Sequence, residues 1–168
     1  MIKSFVIKIS PEGKRESRSY AIKGKWSNKK DGWTTKQTKD NKQKAYEAEI
    51  IPELKKFSPH SPIESPVILG VKAFVRMPKY ISSVPWKNQA AELGLIRPAK
   101  KPDFSNLLKC IEDCMTQAEF WKDDSQVINY TEDSGKYYSM NPRWEIKIIE
   151  FHNIANKKEF LQIQENIQ

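Results

Sequence analysis

Between Pro66 and Pro78 runs the segment that most restricts the fold: Val67-Ile68-Leu69-Gly70-Val71-Lys72-Ala73-Phe74-Val75-Arg76-Met77. Successive side chains of a strand point to opposite sides. Val67, Leu69, Val71, Ala73 and Val75 would therefore line one face of it, with Ile68 and Phe74 on the other. Side chains that are β-branched or aromatic fit such a pleated surface, and Pro78 stops the strand because it has no N–H to give to a ladder.

The rest of the chain fills in around this strand. Phe5-Val6-Ile7-Lys8-Ile9 reads as a strand with one buried face, ended by Pro11-Glu12-Gly13-Lys14. Alternation from Tyr20 to Trp26 predicts a second strand, with Asn28–Gly32 as the turn after it. Ala45, Ala48, Ile51 and Leu54 recur at helical spacing over Lys42–Phe57, where Pro52 predicts a kink or an early end. A long loop, Lys79–Pro102, holds a short helical piece around Asn88–Leu93, and Asp103–Gln117 is a strongly amphipathic helix. Gln126–Tyr130 and Trp144–Ile149 predict two more strands, joined by the turn-like Glu132-Asp133-Ser134-Gly135. The order β-β-α-β-α-β-β predicts a compact α/β domain, a mixed sheet packed by two main helices. Its expected extent is residues 1–150, with 151–168 as a helical tail from Ile154 to Ile167.

Charge narrows the partners. The chain has 168 residues, one ordinary domain, and 29 Lys and Arg against 21 Asp and Glu, a formal charge of +8. An excess of this sign favours an anionic partner, most commonly nucleic acid. Lys14, Arg15, Arg18, Lys23, Lys25, Lys29 and Lys30 form the densest basic region, interleaved with Tyr20, Trp26 and Trp33. Such a stretch can track phosphates and stack on bases; the plainer reading is a solvated basic face with its aromatics in the core. Lys79, Lys87, Arg97, Lys100 and Lys101 line the loop before the amphipathic helix. The two cysteines, Cys110 and Cys114, fall on that helix's apolar side and read as small core residues. No CxxC pair is present and the histidines, His60 and His152, are far apart, so neither a zinc site nor a disulfide framework is expected. Met1–Ser10 lacks the apolar run of a signal peptide and no segment has the length to span a membrane, so a soluble cytoplasmic protein is expected.

The chemistry concentrates between Lys101 and Val127. At about 100° per residue, Leu107, Cys110, Ile111, Cys114, Met115 and Ala118 share one side of the helix while Asn106, Lys109 and Asp113 share an adjoining flank. Asp103 is placed to begin the helix, where its carboxylate can accept backbone N–H bonds. Trp121-Lys122-Asp123-Asp124 follows, and a chain reversal there can bring Asp124 back towards the helix start. Two carboxylates joined in space suit Mg²⁺, which prefers oxygen and leaves positions for water and phosphate. An ammonium such as Lys109 can stabilise the charge that develops on phosphorus. The plainer readings are an N-cap at Asp103, an i,i+4 surface pair between Lys109 and Asp113, and an exposed turn at Asp123-Asp124.

Lys101-Pro102-Asp103-x-x-Asn106-Leu107-x-Lys109, then Asp113, then Phe120-Trp121-x-Asp123-Asp124-Ser125-Gln126-Val127, resembles the signature of the RusA family of Holliday junction resolvases. That family's pattern is Asp-x-Asp-Asn-Leu-x-Lys followed by Trp-x-Asp-Asp. Weaker likeness extends over Pro11–Arg18, Lys44–Glu47 and Arg143–Ile149. The resemblance implies a compact α/β homodimer that binds four-way DNA junctions and nicks opposed strands with Mg²⁺, for which Mn²⁺ can substitute, in recombination or repair, in a phage or prophage setting. It implies catalytic roles for Asp103, Lys109 and Asp124, with Asp103 and Asp124 as metal ligands. Lys14, Arg15, Arg18, Lys23, Lys25 and Lys101 are the expected DNA contacts. The pattern breaks at Ser105, which stands where the family has its second aspartate. A hydroxyl can touch a metal or its water but brings no charge; Asp113, Glu112 and Asp123 are the carboxylates that could take over. Two alternatives follow: a branched-DNA-binding protein of the same fold with weakened or lost catalysis, and an enzyme for another structured substrate such as a flap or an RNA.

Overall fold

The computed structural model describes residues 2–15, 18–23, 33–38 and 40–156. Its centre is the apolar segment between the two prolines, strand β4 (Val67–Arg76), reached after β1 (Ile2–Ile7), β2 (Arg18–Lys23), β3 (Trp33–Thr38) and helix α1 (Asn41–Lys55). After β4 come α2 (Lys79–Ser82), α3 (Pro85–Glu92), α4 (Phe104–Gln117), a single 3₁₀ turn at Asp124–Gln126, then β5 (Val127–Tyr130), β6 (Gly135–Ser139) and β7 (Arg143–Glu150). A strand apolar on both faces belongs where it can be flanked on both sides. β7 pairs with β4 antiparallel, Leu69 opposite Ile148 and Ala73 opposite Trp144, and β1 pairs antiparallel with the far side of β7.

On its other side β4 meets β5 and then β6, both parallel to it. From Leu69 to Lys72, β4 advances three residues while its neighbour advances five, from Tyr130 to Gly135. The predicted turn at Glu132–Gly135 is present, closed by Ser134 N donating to the Thr131 carbonyl at 3.0 Å, but it leads from β5 into β6 as a two-residue bulge along one edge rather than directly into β7. Lys72 Nζ lies 2.6 Å from Asp133 Oδ2, and the Val71 N–H donates to Ser134 Oγ at 3.1 Å. Gly70 makes room for the bulge: a Cβ there would lie 2.8 Å from Thr131 Oγ1. β2 and β3 form a separate antiparallel pair.

Helices α1 and α4 pack against each other and close the core over β1, β4 and β7. Leu107, Cys110, Ile111, Cys114 and Met115 are fully buried, as the amphipathic pattern predicts, and both cysteines are free core thiols. Trp144 and Trp121 are also buried, each with its indole N–H satisfied: Trp144 by Tyr46 Oη at 2.9 Å and Trp121 by Thr116 Oγ1 at 2.9 Å. Burying side chains of this size contributes about 1.5–3 kcal/mol each relative to exposure. A smaller cluster of Met77, Ile81, Ala91 and Tyr138 seats α2 and α3 at the far end of β4.

Several expectations shift. α1 continues through Pro52 to Lys55, with the proline exposed in the last turn, so that the one helical bond it forfeits is its own to the Ala48 carbonyl. β3 and β6 are strands that alternation does not reveal, and α2 and α3 occupy the first part of the expected loop. Ile154–Asn156 are irregular rather than helical; the remainder of the expected tail helix lies outside the described residues. Among the described residues, no helix is long and apolar enough to cross a membrane.

Candidate active site

α4 runs antiparallel to the β5–β6 edge and carries most of the predicted site. Its first end lies level with β6: Lys136 Nζ donates to the carbonyls of Lys100, at 2.8 Å, and Pro102, at 2.9 Å. This clamp fixes the chain that enters the helix. Asp103 occupies the N-cap position, and its carbonyl accepts from Leu107 N at 3.1 Å. Its carboxylate, however, caps nothing. The expected side-chain bond to the helix backbone is absent, and among the described residues the carboxylate has no hydrogen-bond or ion-pair partner. Ser105 is exposed in the same turn.

The loop after β1 folds onto this helix start. Lys14 N donates to the Asn106 carbonyl at 3.0 Å, and Arg15 N donates to Oε1 of the buried Gln43 on α1 at 3.0 Å. Gly13 permits the approach, since a Cβ there would fall 2.9 Å from Pro102 Cβ. The result is a cleft of about 410 Å³ lined by Pro11–Arg15, Lys101, Pro102, Asp103 and Asn106. It gathers three predicted DNA-contact residues, Lys14, Arg15 and Lys101, around the free carboxylate. Arg18 and Lys23 fall on β2, but their side chains, like all of Lys25, lie outside the described residues.

Further along α4 stands a second group of charges. Lys14 Nζ reaches Asp113 Oδ2 at 2.5 Å, and this bond holds its ammonium above the ordinary range. Asp113 thus pairs with Lys14 from the loop and not with Lys109, which is exposed and without an ion-pair partner among the described residues. Glu112 is buried and accepts from the Tyr130 hydroxyl of β5. Burial pushes its carboxyl above the usual range, and the nearby charges of Asp124 and Asp113 add to the shift.

Within Trp121–Gln126 the residues divide their tasks. Trp121 anchors the segment in the core. Asp123 caps the 3₁₀ turn by accepting from Ser125 N at 2.9 Å, and the Ser125 hydroxyl together with that N–H holds its carboxylate below the ordinary range. Gln126 closes the box by accepting from Lys122 N at 3.0 Å and Asp123 N at 3.2 Å. Asp124, exposed, is left over. The chain does reverse here and brings Asp124 near α4, where its charge acts on Glu112 and on Lys14, a residue of the Asp103 cleft. Ten residues separate Asp103 from Asp113 on this helix, about 15 Å at 1.5 Å per residue.

Glu112 and Tyr130 were not among the principal sequence candidates. The signal for Glu112 was its position four residues after Leu108, on the half of the helix that faces the protein. Tyr130 carried no signal beyond its place at a strand end.

A basic cleft thus surrounds a carboxylate that is unpaired among the described residues, at the start of a helix packed on a mixed sheet. The chain belongs to the RusA endodeoxyribonuclease family, whose model matches residues 20–149. Over 92 residues it is also 40% identical to a Bacillus subtilis (strain 168) protein named "Uncharacterized protein YqaN", a match that covers 55% of this chain and 63% of that protein. The chain thus spans less than two thirds of that relative's length.

Proposed function

We propose that the protein is a structure-selective endodeoxyribonuclease that binds four-way junctions and nicks opposed strands with a divalent cation. The observation that carries this reading is the Asp103 carboxylate, uncapped and unpaired among the described residues, in a cleft shared with Lys14, Arg15 and Lys101. A carboxylate that caps nothing and has no ion-pair partner among the described residues adds little to helix stability, but it can hold a hard cation against a phosphate that Lys14, Arg15 and Lys101 would bind.

The donor set fits Mg²⁺, with Mn²⁺ as a substitute. Asp103 and Asp124 are exposed oxygen donors, and Mg²⁺ takes one or two carboxylates while keeping water and phosphate in its remaining positions. Among the described residues no group of three His, Cys, Asp or Glu side chains gathers. When bound, the ion supplies Lewis-acid polarisation of the phosphodiester and a more acidic water. Lys14, Arg15 and Lys101 hold the DNA backbone, and Lys109 offers its ammonium to the charge that develops on the phosphoryl oxygens. Asp103 and Asp124 are the carboxylates that would hold the ion, and a two-fold homodimer would present one such site to each of two opposed strands.

Ser105 favours a second reading, a branched-DNA-binding protein with weakened catalysis. The hydroxyl is exposed, and Asp113 is eight residues further on, about 12 Å of helix. The test is binding and nicking of a fluorescent four-way junction against linear duplex. The nuclease reading expects junction-selective binding without metal, a steep fall with salt as counterions are released, and nicking once Mg²⁺ or Mn²⁺ is added. Equal affinity for junction and duplex at moderate salt removes the selectivity. Selective binding with no nicking under either metal favours the second reading.

A further inference from the structure

Beyond the Asp103 cleft, on the other side of Pro102, lies a groove of about 250 Å³ between α2 and the rim of the sheet. Arg76 at the end of β4, Tyr80 on α2, Lys100 and Lys101, and Lys136 and Tyr138 on β6 give it its chemistry. No acidic residue lines it. Arg76 and Tyr80 are exposed, and Arg76 has no ion-pair partner among the described residues. The groove joins the Asp103 cleft, because Lys101 and Pro102 line both.

We propose that this groove is a subsite for one unpaired nucleotide of the bound DNA, with the Tyr80 ring stacking on its base and Arg76 and Lys101 holding its phosphate. The inference rests on the endonuclease reading above. Its elements are those a single-stranded nucleic acid requires: cations that follow the backbone and an aromatic face that takes any base. Tyr80 is 59% exposed, so the ring is available without rearrangement. Tyr138 is buried beside it, and burial together with the Tyr80 hydroxyl pushes its phenol up. Tyr138 thus forms the floor and Tyr80 the exposed wall. The Lys136 clamp on Lys100 and Pro102 fixes the third wall. The volume is below the roughly 300 Å³ at which drug-sized pockets begin, which suits one base and excludes a duplex. Lys101 and Asp103 are two residues apart, at most about 7 Å of chain, so a nucleotide held here adjoins the strand lying across Asp103.

The test uses the full chain and two probes, a fluorescent oligodeoxythymidylate and a four-way junction. Tyr80→Ala should weaken oligonucleotide binding about tenfold, within the range measured for loss of one stacked base, and Tyr80→Phe should retain it. Arg76→Ala should flatten the dependence of log affinity on log salt by about 0.7, one phosphate contact on a single strand. Trp86→Ala removes an aromatic that is 65% exposed but does not line the groove, and should change neither. Unaltered oligonucleotide affinity in Tyr80→Ala and Arg76→Ala, with junction binding retained, overturns the subsite alone; so does an equal loss in Trp86→Ala. A wild-type protein that binds neither probe overturns the DNA reading and the subsite with it.

Discussion

Asp103 and Ser105 share the first turn of α4, but only Asp103 can bring negative charge to it. Negative charge is tolerated there by the helix dipole, and Ser105 is exposed, so a carboxylate at position 105 meets neither steric nor electrostatic resistance from the helix. Ser105→Asp should therefore lower the metal concentration needed for nicking and raise the rate. Mn²⁺ should rescue the wild type more than the variant, because it binds such sites more tightly than Mg²⁺. A metal titration of nicking rate checks this; efficient wild-type nicking at low Mg²⁺, with no gain in the variant, would mean that another group supplies the ligand. Asp123 is committed to capping the 3₁₀ turn and Asp113 to Lys14, which leaves Glu112 buried against Tyr130 as the carboxylate whose use would require the largest rearrangement.

The element that turns a helix start into a cleft is the Pro11–Arg15 loop. It is held by two backbone N–H bonds, to Asn106 and Gln43, and by the Gly13 contact with Pro102. Gly13→Ala would push a methyl to 2.9 Å from Pro102 Cβ, too close without movement of one side. Overpacking of this kind costs about 1–3 kcal/mol. Denaturant unfolding should report that loss, and junction affinity should fall with it as Lys14 and Arg15 leave the cleft; unchanged stability and affinity would show that the loop does not depend on this contact. Legibility in the sequence follows the same physics. β4 and α4 were readable because their apolar residues repeat with the period of their backbone and land in the core. β6, Gly135-Lys136-Tyr137-Tyr138-Ser139, was not, because it earns its place by pairing with β4 across a bulge and not by alternation. Within the segment Lys101–Val127, the helical period was enough to place Leu107, Cys110 and Ile111 in the core; it could not say that Asp113 pairs with Lys14, since that partner comes from the loop after β1.

At the scale of the whole molecule, the proposed nicking of two opposed strands needs two sites in fixed relation, which a two-fold dimer would supply. Sedimentation of the free protein at micromolar concentration should give twice the mass of one chain; a monomer both free and on DNA would contradict paired nicking by two fixed sites. If Asp103 is the carboxylate around which a metal-dependent junction nuclease is built, Asp103→Asn removes the chemistry and spares the binding. With a labelled four-way junction, the wild type should place nicks in two opposed strands only when Mg²⁺ or Mn²⁺ is present. Asp103→Asn should abolish those nicks while binding the junction as tightly or more tightly, because loss of the carboxylate removes a metal ligand and also a repulsion towards phosphate. Nicking at the wild-type rate by Asp103→Asn would contradict the account.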